Sequence, residues 1–284
     1  MSFLDRIAAC NTHDLRGFVP FHVGAERVGW VRPALARRLA EFRDVFAPAA
    51  PGLALDAALA DFDSRSRAMD GVVRTLEAEG RIAGRRDEFY AVTNDLDSPP
   101  LLQIERCAVA HFGLRAYGVH MTGYVRRPDG PWIWVPRRAL TKSTYPGMLD
   151  STVAGGQPIG LSLIDNLVKE CREEAGIPEA LARQARFTGT IRYCAEAPDG
   201  LKPDVIACYD LEMPESFEPR PVDGEMDSFE LWPAARVVET VRDTEAFKFN
   251  CNLVLIDFFL RHAIVTPPPE ESARLRAALK VRLP

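Results

Sequence analysis

Residues 169–177 read KECREEAGI, and they place three glutamates within a single apolar helical pattern. Glu170, Glu173 and Glu174 are three, four and one residues apart, so their carboxylates lie on one side of a helix. Like charges at these spacings repel by roughly 0.2–0.5 kcal/mol per pair on an exposed helix. A shared divalent cation would offset that repulsion, because several carboxylate oxygens suit Mg2+ or Mn2+. A solvated acidic face, supported by Lys169, is the alternative.

The residues around this stretch predict a capped helix after a long loop. Ser162 is a good N-cap, and the helix is expected to run to about Ala175, where Gly176 ends it. Its apolar stripe comprises Ile164, Leu167, Val168, Cys171 and Ala175. Residues 141–160 are rich in glycine and proline and are predicted to form a loop.

The loop and the helix together resemble the Nudix hydrolase box, usually written G-x5-E-x7-R-E-U-x-E-E-x-G-U, where U is a bulky apolar residue. The matching positions are Gly155, Glu170, Cys171 as the apolar residue, Glu173, Glu174, Gly176 and Ile177. Two positions depart, because Leu161 stands in place of a glutamate and Lys169 in place of the arginine. This spacing favours the metal-binding interpretation over the solvated face.

The resemblance extends over about residues 15–275 and is specific to one branch of the family. RRALTKSTYPGMLDSTVAGG (137–156), DGEMDSF (223–229) and AFKFNCNLVLIDFFLRH (246–262) resemble the Nudix proteins labelled thiamine-pyrophosphokinase-related. That resemblance implies hydrolysis of thiamine diphosphate, or of its oxidised and damaged analogues, to the monophosphate. It implies no kinase activity, because the chain has no Walker-type G-x-x-x-x-G-K-[ST] loop.

The resemblance also implies the fold, an α/β Nudix sandwich of α/β/α layers with a mixed sheet. We expect residues 116–284 to form this domain and residues 1–115 to form a smaller N-terminal α/β accessory domain. In the first part, we predict helices at 31–44 and 64–81 and a strand at 89–93. In the second part, we predict strands at 117–127, 131–139, 186–196, 204–214 and 228–232, and helices near 234–242, 251–263 and 269–279.

Carried onto this sequence, the resemblance implies a site for Mg2+ or Mn2+. Glu170 and Glu174, one turn apart, are expected to hold the principal ion, with Glu173 completing or bridging the site. The carbonyl of Gly155 is a further expected ligand. A glutamate of the box, or Glu225 downstream, would act as general base. For Glu225, a simple turn residue is an equal alternative.

Three further residues are candidates for binding the substrate. Arg138 and Lys142 lead into the glycine loop and could neutralise a diphosphate, although basic residues at a strand end are commonly just solvated. Tyr145 could stack on an aromatic ring, and a packing role is its alternative. His120 lies within a predicted strand, where we expect a buried, hydrogen-bonded histidine and not a catalytic one.

Composition narrows the class of protein further. The net charge of −5 disfavours a nucleic-acid partner, because phosphate backbones attract basic surfaces. The six cysteines form no C-x-x-C pair, which predicts free thiols in a reducing compartment. With no secretory signal pattern and no apolar run of membrane-spanning length, we expect a cytoplasmic protein that binds a small-molecule diphosphate and no membrane. The sequence leaves its oligomeric state open.

Two other functions compete with hydrolysis. The segment TKSTYPGMLD (141–150) also resembles the loop of isopentenyl-diphosphate isomerases, but the residues from 121 to 169 contain neither the cysteine nor the histidines that such an isomerase needs. A Nudix fold that senses a diphosphate without cleaving it is the non-enzymatic alternative. Loss of the box glutamates would favour sensing, and the three on the helix are present. Other nucleoside-diphosphate-X compounds stay open as substrates.

Overall fold

The first third of the chain folds around a four-stranded sheet. The computed structural model describes residues 2–284, and its N-terminal elements are α1 (Phe3–Ala8), β1 (Val19–Val23), β2 (Glu26–Val31), α2 (Pro33–Leu39), β3 (Phe46–Pro48), β4 (Leu53–Leu55), α3 (Phe62–Ala78), β5 (Phe89–Val92) and β6 (Leu102–Glu105). The sheet has the order β2-β1-β4-β3, and β5 pairs with β6 separately. The apolar face of α3, from Met69 to Leu76, packs with both sheets into one hydrophobic core.

The sequence patterns identified only part of this region. The helices and the strand at 89–92 are present, but α2 is shorter than the predicted 31–44. It begins at Pro33 because the residue before a proline is held in an extended conformation, as Arg32 is here. Strands β1 to β4 were not predicted. They are three to six residues long, and the parallel pair brings Phe21 beside Leu53, a contact that no local pattern encodes.

The remaining residues form a second, larger sheet with its helices. Its elements are β7 (Ala116–Arg127), β8 (Gly130–Arg138), β9 (Val153–Gly156), α4 (Leu163–Ala175), α5 (Glu179–Ala182), β10 (Arg186–Ala197), β11 (Gly200–Glu212), β12 (Met226–Pro233), α6 (Ala234–Asp243), α7 (Cys251–Arg261) and α8 (Pro269–Ala278). The order is β10-β11-β7-β8-β12, with β9 beside β7. Because β7 and β11 run parallel and the other pairs antiparallel, the sheet is mixed, as predicted.

Helices cover both faces of this sheet and complete the α/β/α sandwich. On one face, Leu167 and Cys171 of α4 pack against Val119 and Met121 of β7. On the other face, α6, α7 and α8 pack against the side chains of β8, β10 and β11 that point the opposite way. Helix α1 joins this second layer, where the ring of Phe3 lies 6.2 Å from that of Phe259.

One prediction for this region was wrong. Residues 141–160 were expected to be a loop, but β9 forms within them and pairs with β7, so that Gly156 lies opposite Gly118. Two adjacent glycines indicated a loop because glycine has low strand propensity. At this edge, however, the absence of side chains lets other groups approach the strand closely.

The two parts of the chain contact each other. The backbone N–H of Ile159, just after β9, donates a hydrogen bond of 2.8 Å to the carbonyl of Phe89 in β5. The division into 1–115 and 116–284 stays a prediction. No helix within residues 2–284 has the length and hydropathy required to cross a membrane. All six cysteines are free, as expected.

Candidate active site

Helix α4 presents its glutamates because its opposite face is buried. Ser162 accepts a hydrogen bond of 3.2 Å from the backbone N–H of Asp165 and so caps the N-terminus. Gly176 ends the helix in the left-handed conformation, with φ of 62°. Leu167 and Cys171 are fully buried against the sheet. The predicted helix, with both of its caps, is therefore confirmed, and its rotation about its axis is set by the apolar stripe.

Two of the glutamates lie against β9. Glu174 Oε2 accepts a hydrogen bond of 3.0 Å from the backbone N–H of Ala154. The carboxyl group of Glu170 lies over Gly155, where an added Cβ would come within 2.3 Å of the Cδ of Glu170. Glycine at position 155 therefore leaves the space that the carboxyl group occupies.

Lys169 forms ion pairs with Glu170 and Glu173. Its Nζ lies 3.0 Å from Glu170 Oε1 and 2.9 Å from Glu173 Oε2. These contacts place Lys169 where it can orient two of the box glutamates. Because an ammonium group is a point charge on a flexible stem, one lysine bridges both carboxylates without the fixed geometry of a guanidinium.

The charge balance of the trio fits a bound cation. Glu174 is 2% exposed, and burial raises its pKa well above the usual value. Burial also raises the pKa of the Glu170 carboxyl, against the opposing effect of Lys169. Within residues 2–284, no basic side chain forms an ion pair with Glu174. Since a buried carboxylate without a counter-charge is unfavourable, the donor set of Glu170, Glu173 and Glu174 fits a divalent metal ion.

A second group of potential ligands fits a cation poorly. The ligand atoms of His120, Asp150 and Cys251 lie within 4.8 Å of one another. Asp150 is already paired, because Arg138 Nη1 lies 2.7 Å and Lys248 Nζ lies 3.6 Å from its Oδ2. Two positive charges at these distances repel a third. The α4 carboxylates are therefore the better candidate for the metal.

A cavity of about 850 Å³ brings the predicted residues together. The eight residues predicted from the sequence all line it: Arg138, Lys142, Tyr145, Gly155, Glu170, Glu173, Glu174 and Glu225. Residues 86–90 and Arg106 line it as well, so the N-terminal part of the chain contributes to its wall. The geometry therefore assembles one site from both parts of the chain.

Lys142 and Glu225 form an ion pair at the cavity wall. The Nζ of Lys142 lies 2.6 Å from Glu225 Oε1. Burial is the largest effect and acts to raise the pKa of Glu225, but the hydrogen bond and charge of Lys142, together with the charges of Arg138 and Arg86, lower the pKa below the usual value. The side chain of Glu225 is therefore held at the cavity wall, and its role as general base stays a prediction.

Arg138 and Tyr145 have partners within the protein. The guanidinium of Arg138 donates to Asp150 Oδ2 at 2.7 Å and to the carbonyls of Tyr145 and Thr144 at 3.1 and 2.9 Å. These bonds fix the segment from 144 to 150, and contact of Arg138 with a diphosphate stays a prediction. The ring of Tyr145 packs on that of Phe249, with centroids 5.6 Å apart. His120 is buried and bonded to Ser151 Oγ at 2.9 Å, as expected.

Several residues that line the cavity were not predicted from the sequence. Lys248, Phe249 and Asn250 come directly before α7, and Tyr193 and Asp204 lie on neighbouring strands of the sheet. A signal was present for two of them. Lys248 stands between two phenylalanines in a segment with strong family resemblance, and Asp204 is the acidic residue that opens the apolar run VIACY. Only the tertiary fold shows that these positions face one cavity.

Comparison with known proteins places this site in a family. Residues 2–116 match a family model described as a domain of unknown function (DUF4743). "Nudix hydrolase 20, chloroplastic" of Arabidopsis thaliana is 41% identical over 276 residues, which cover 93% of this chain and 74% of that protein. "Nudix hydrolase 24, chloroplastic" of the same plant is 41% identical over 269 residues, with the same coverage of 93% and 74%. Among solved structures, a Deinococcus radiodurans protein is 20% identical, covers 60% of this chain and 98% of its own, and has a TM-score of 0.46.

The chain belongs to the Nudix hydrolase family, which the residues of the box had indicated. It is therefore a hydrolase that acts on a diphosphate linkage. Nudix hydrolases in general use divalent metal ions, and the α4 carboxylates are the residues of this chain that fit one. The names of the plant relatives state no substrate.

Proposed function

We propose that this Nudix hydrolase converts thiamine diphosphate, or one of its oxidised analogues, to the monophosphate. The observation that carries the proposal is the lining of one cavity, in which the α4 carboxylates meet Lys142, Lys248 and the rings of Tyr145 and Phe249. Carboxylates hold the metal, lysines complement the diphosphate, and aromatic rings attract a flat cationic heterocycle such as thiazolium. The resemblance to the thiamine-pyrophosphokinase-related branch supports the same substrate.

Glu170, Glu173 and Glu174 would hold Mg2+ or Mn2+. When bound, the ion supplies positive charge to the diphosphate oxygens and lowers the pKa of a coordinated water. The protein prepares this site by fixing Glu174 on the N–H of Ala154 and by leaving room for Glu170 above Gly155. A carbonyl ligand from Gly155 is part of the proposal.

The reaction adds one water across one P–O–P link. A bond forms between the water oxygen and phosphorus, and the bridging P–O bond breaks, so that orthophosphate and the monophosphate are released. The water loses a proton, and we assign Glu225 as the carboxylate that receives it. In the absence of substrate, Glu225 is paired with Lys142. When Nζ of Lys142 turns toward the diphosphate, Glu225 loses the contact that lowers its pKa and becomes a stronger base.

The proposal includes a small-molecule diphosphate as the partner and a cytoplasmic location. The net charge of −5 supports the absence of a nucleic-acid partner. The free cysteines support a reducing compartment.

The test is release of orthophosphate from a panel of diphosphates in Mg2+. The panel comprises thiamine diphosphate, oxythiamine diphosphate, a nucleotide sugar and a dinucleotide, followed by a phosphatase where the products require it. Glu174→Gln is compared with Glu179→Gln, a matched change at an exposed glutamate that pairs with Arg183 outside the cavity. We expect selective cleavage of the thiamine compounds, a loss of at least 100-fold in Glu174→Gln, and wild-type rates in Glu179→Gln.

Other outcomes separate the parts of the proposal. Cleavage of the nucleotide compounds alone would reject the thiamine assignment and keep the diphosphate hydrolase. Wild-type rates in Glu174→Gln would reject the metal site on α4. Tight binding of thiamine diphosphate without any release of phosphate would reject hydrolysis of this substrate.

A further inference from the structure

A chain of three polar side chains lies in the cavity where the sheet forms its floor. Asp204 on β11 lies opposite Ala116 on β7 and opposite Tyr193 on β10. The hydroxyl of Tyr193 donates a hydrogen bond of 2.6 Å to Asp204 Oδ2. The side-chain amide of Asn250 donates to the oxygen of that hydroxyl at 3.1 Å. Since the hydroxyl oxygen of Tyr193 accepts the hydrogen bond from Asn250, its own hydrogen is donated to Asp204.

Asp204 retains an unused acceptor. Within residues 2–284, its Oδ1 has no hydrogen-bond partner and no basic side chain pairs with the carboxylate. The neighbouring Lys202 directs its Nζ to Asp199 instead, at 3.3 Å. A half-buried carboxylate with one oxygen fixed and the other free toward a cavity is suited to accept a hydrogen bond from a ligand N–H.

This acceptor lies a substrate's length from the metal-binding carboxylates. Gly155, beneath Glu170, pairs with Val119 of β7, whereas Asp204 pairs with Ala116 of the same strand. Three residues of a strand span about 10 Å, and β9 and β11 lie on opposite sides of β7, which adds about 10 Å across the sheet. The two backbone positions are therefore about 14 Å apart, which suits a diphosphate joined to a ring system through a short linker and exceeds the size of the diphosphate alone.

Aromatic rings line the same cavity as the acceptor. Phe249, the residue before Asn250, packs edge-on against Tyr193 with ring centroids 5.7 Å apart. Its ring also meets that of Tyr145. A flat heterocycle can therefore stack beside Phe249 while its edge reaches Asp204.

We propose that Asp204, oriented by Tyr193 and Asn250, is the specificity-determining residue for the end of the substrate remote from the diphosphate, where it accepts a hydrogen bond from an N–H on the edge of a heteroaromatic ring. This inference rests on the proposed function, because it assigns a binding role within that same cavity. In thiamine compounds the remote ring is a pyrimidine, which carries an amino group in thiamine and a carbonyl in oxythiamine.

The hydrogen bonds among Asp204, Tyr193 and Asn250 predict the effect of Asp204→Asn. Tyr193 donates its proton to residue 204, so the amide oxygen of an asparagine would turn toward Tyr193. Its NH2 group would then face the cavity, and an acceptor would be replaced by a donor of nearly the same size. The variant repels a ring amino group and attracts a ring carbonyl, whichever ring the wild type prefers.

The experiment measures kcat/KM for thiamine diphosphate, oxythiamine diphosphate and a simple alkyl diphosphate. We expect the thiamine-to-oxythiamine ratio to fall at least tenfold in Asp204→Asn relative to wild type. Asp199→Asn is the matched control, since it removes the same charge from the same hairpin at a position that does not line the cavity. Its ratio should equal that of wild type, and thermal unfolding verifies that each variant is folded.

Two results would overturn the inference. An unchanged thiamine-to-oxythiamine ratio in folded Asp204→Asn would show that residue 204 does not contact the edge of the ring. An equal loss of kcat/KM for the alkyl diphosphate would show that the substitution disturbs the whole site and not recognition of the ring. If Asp204→Asn does not fold, Asp204→Ala removes the acceptor, and a thiamine-to-oxythiamine ratio equal to that of wild type would reject the proposal. Failure of the wild type to cleave either thiamine compound, with activity on other diphosphates, rejects the proposed substrate instead.

Discussion

The hydroxyl group of Tyr90 fills the space where residue 156 would carry a side chain. A Cβ added to Gly156 would lie 1.6 Å from Tyr90 Oη and 2.7 Å from its Cζ. Tyr90 belongs to β5 in the N-terminal part, and Gly156 ends β9 beside the box glutamates. The part of the chain that matches the family model of unknown function therefore packs directly on the strand that lies against the candidate metal site on α4.

Gly156→Ala should disturb both stability and activity. The new methyl group must displace Tyr90, and overpacking of this kind lowers the free energy of unfolding by about 1–3 kcal/mol. Because β9 shifts with it, kcat/KM should fall at least tenfold. Urea unfolding and steady-state kinetics measure the two effects.

The matched control is Gly17→Ala, where nothing lies within 4 Å of the added Cβ. Adding Tyr90→Phe to Gly156→Ala removes the nearest atom and should restore part of the stability. A fully stable and active Gly156→Ala would show that β9 tolerates movement of Tyr90, and that the contact does not matter for the site.

Gly155→Ala should weaken metal binding more than it weakens the fold. The added Cβ meets the end of the Glu170 side chain, which can rotate away, so a loss of unfolding free energy below about 2 kcal/mol is expected in the presence of chelator. Rotation of Glu170 removes one ligand. The increase in melting temperature on adding Mn2+ should therefore be much smaller than in wild type, because a ligand stabilises the state that binds it. An increase in melting temperature equal to that of wild type would show that Glu170 does not bind the metal.

Substitution of Lys142 and Glu225 should show two distinct kinetic effects. Glu225→Gln keeps the shape of the side chain but cannot accept a proton, so kcat should fall by roughly 10²–10⁴-fold. Lys142→Gln should mainly raise KM, because it removes a charge that complements the diphosphate. Glu215→Gln, an exposed glutamate paired with Arg127, serves as the control. Equal and small effects from both variants would assign the pair a structural role only.

The helix that carries the glutamates could be predicted from the sequence, whereas the rest of the cavity wall could not. Ser162, the apolar stripe and Gly176 encode α4 within fifteen residues, so local physics specifies it. The contacts of Asp204 and Lys248 depend on strand pairing and on α7, which join residues far apart in sequence. The strand β9 was missed for a related reason, since glycines 155 and 156 favour a loop locally and are explained only by Glu170 and Tyr90.

His120 should make the protein less stable in mild acid. Burial, reinforced by the nearby charge of Lys248, lowers its pKa from 6.5 to about 3. Between these two pH values the unfolded chain binds more protons than the folded chain, so the stability that neutral His120 contributes is complete above pH 6.5 and is lost as the pH falls. The loss can approach about 1.4 kcal/mol per pH unit.

In His120→Asn, the free energy of unfolding measured by urea in chelator should therefore fall less between pH 6.5 and pH 4.5 than in wild type. His13→Asn, at a half-buried site near the N-terminus, controls for loss of a histidine as such. Parallel pH profiles for wild type and His120→Asn would mean that His120 takes up its proton in the folded protein as readily as in the unfolded chain. Asp150 would then neutralise the charges of Arg138 and Lys248 more completely than its ion pairs indicate.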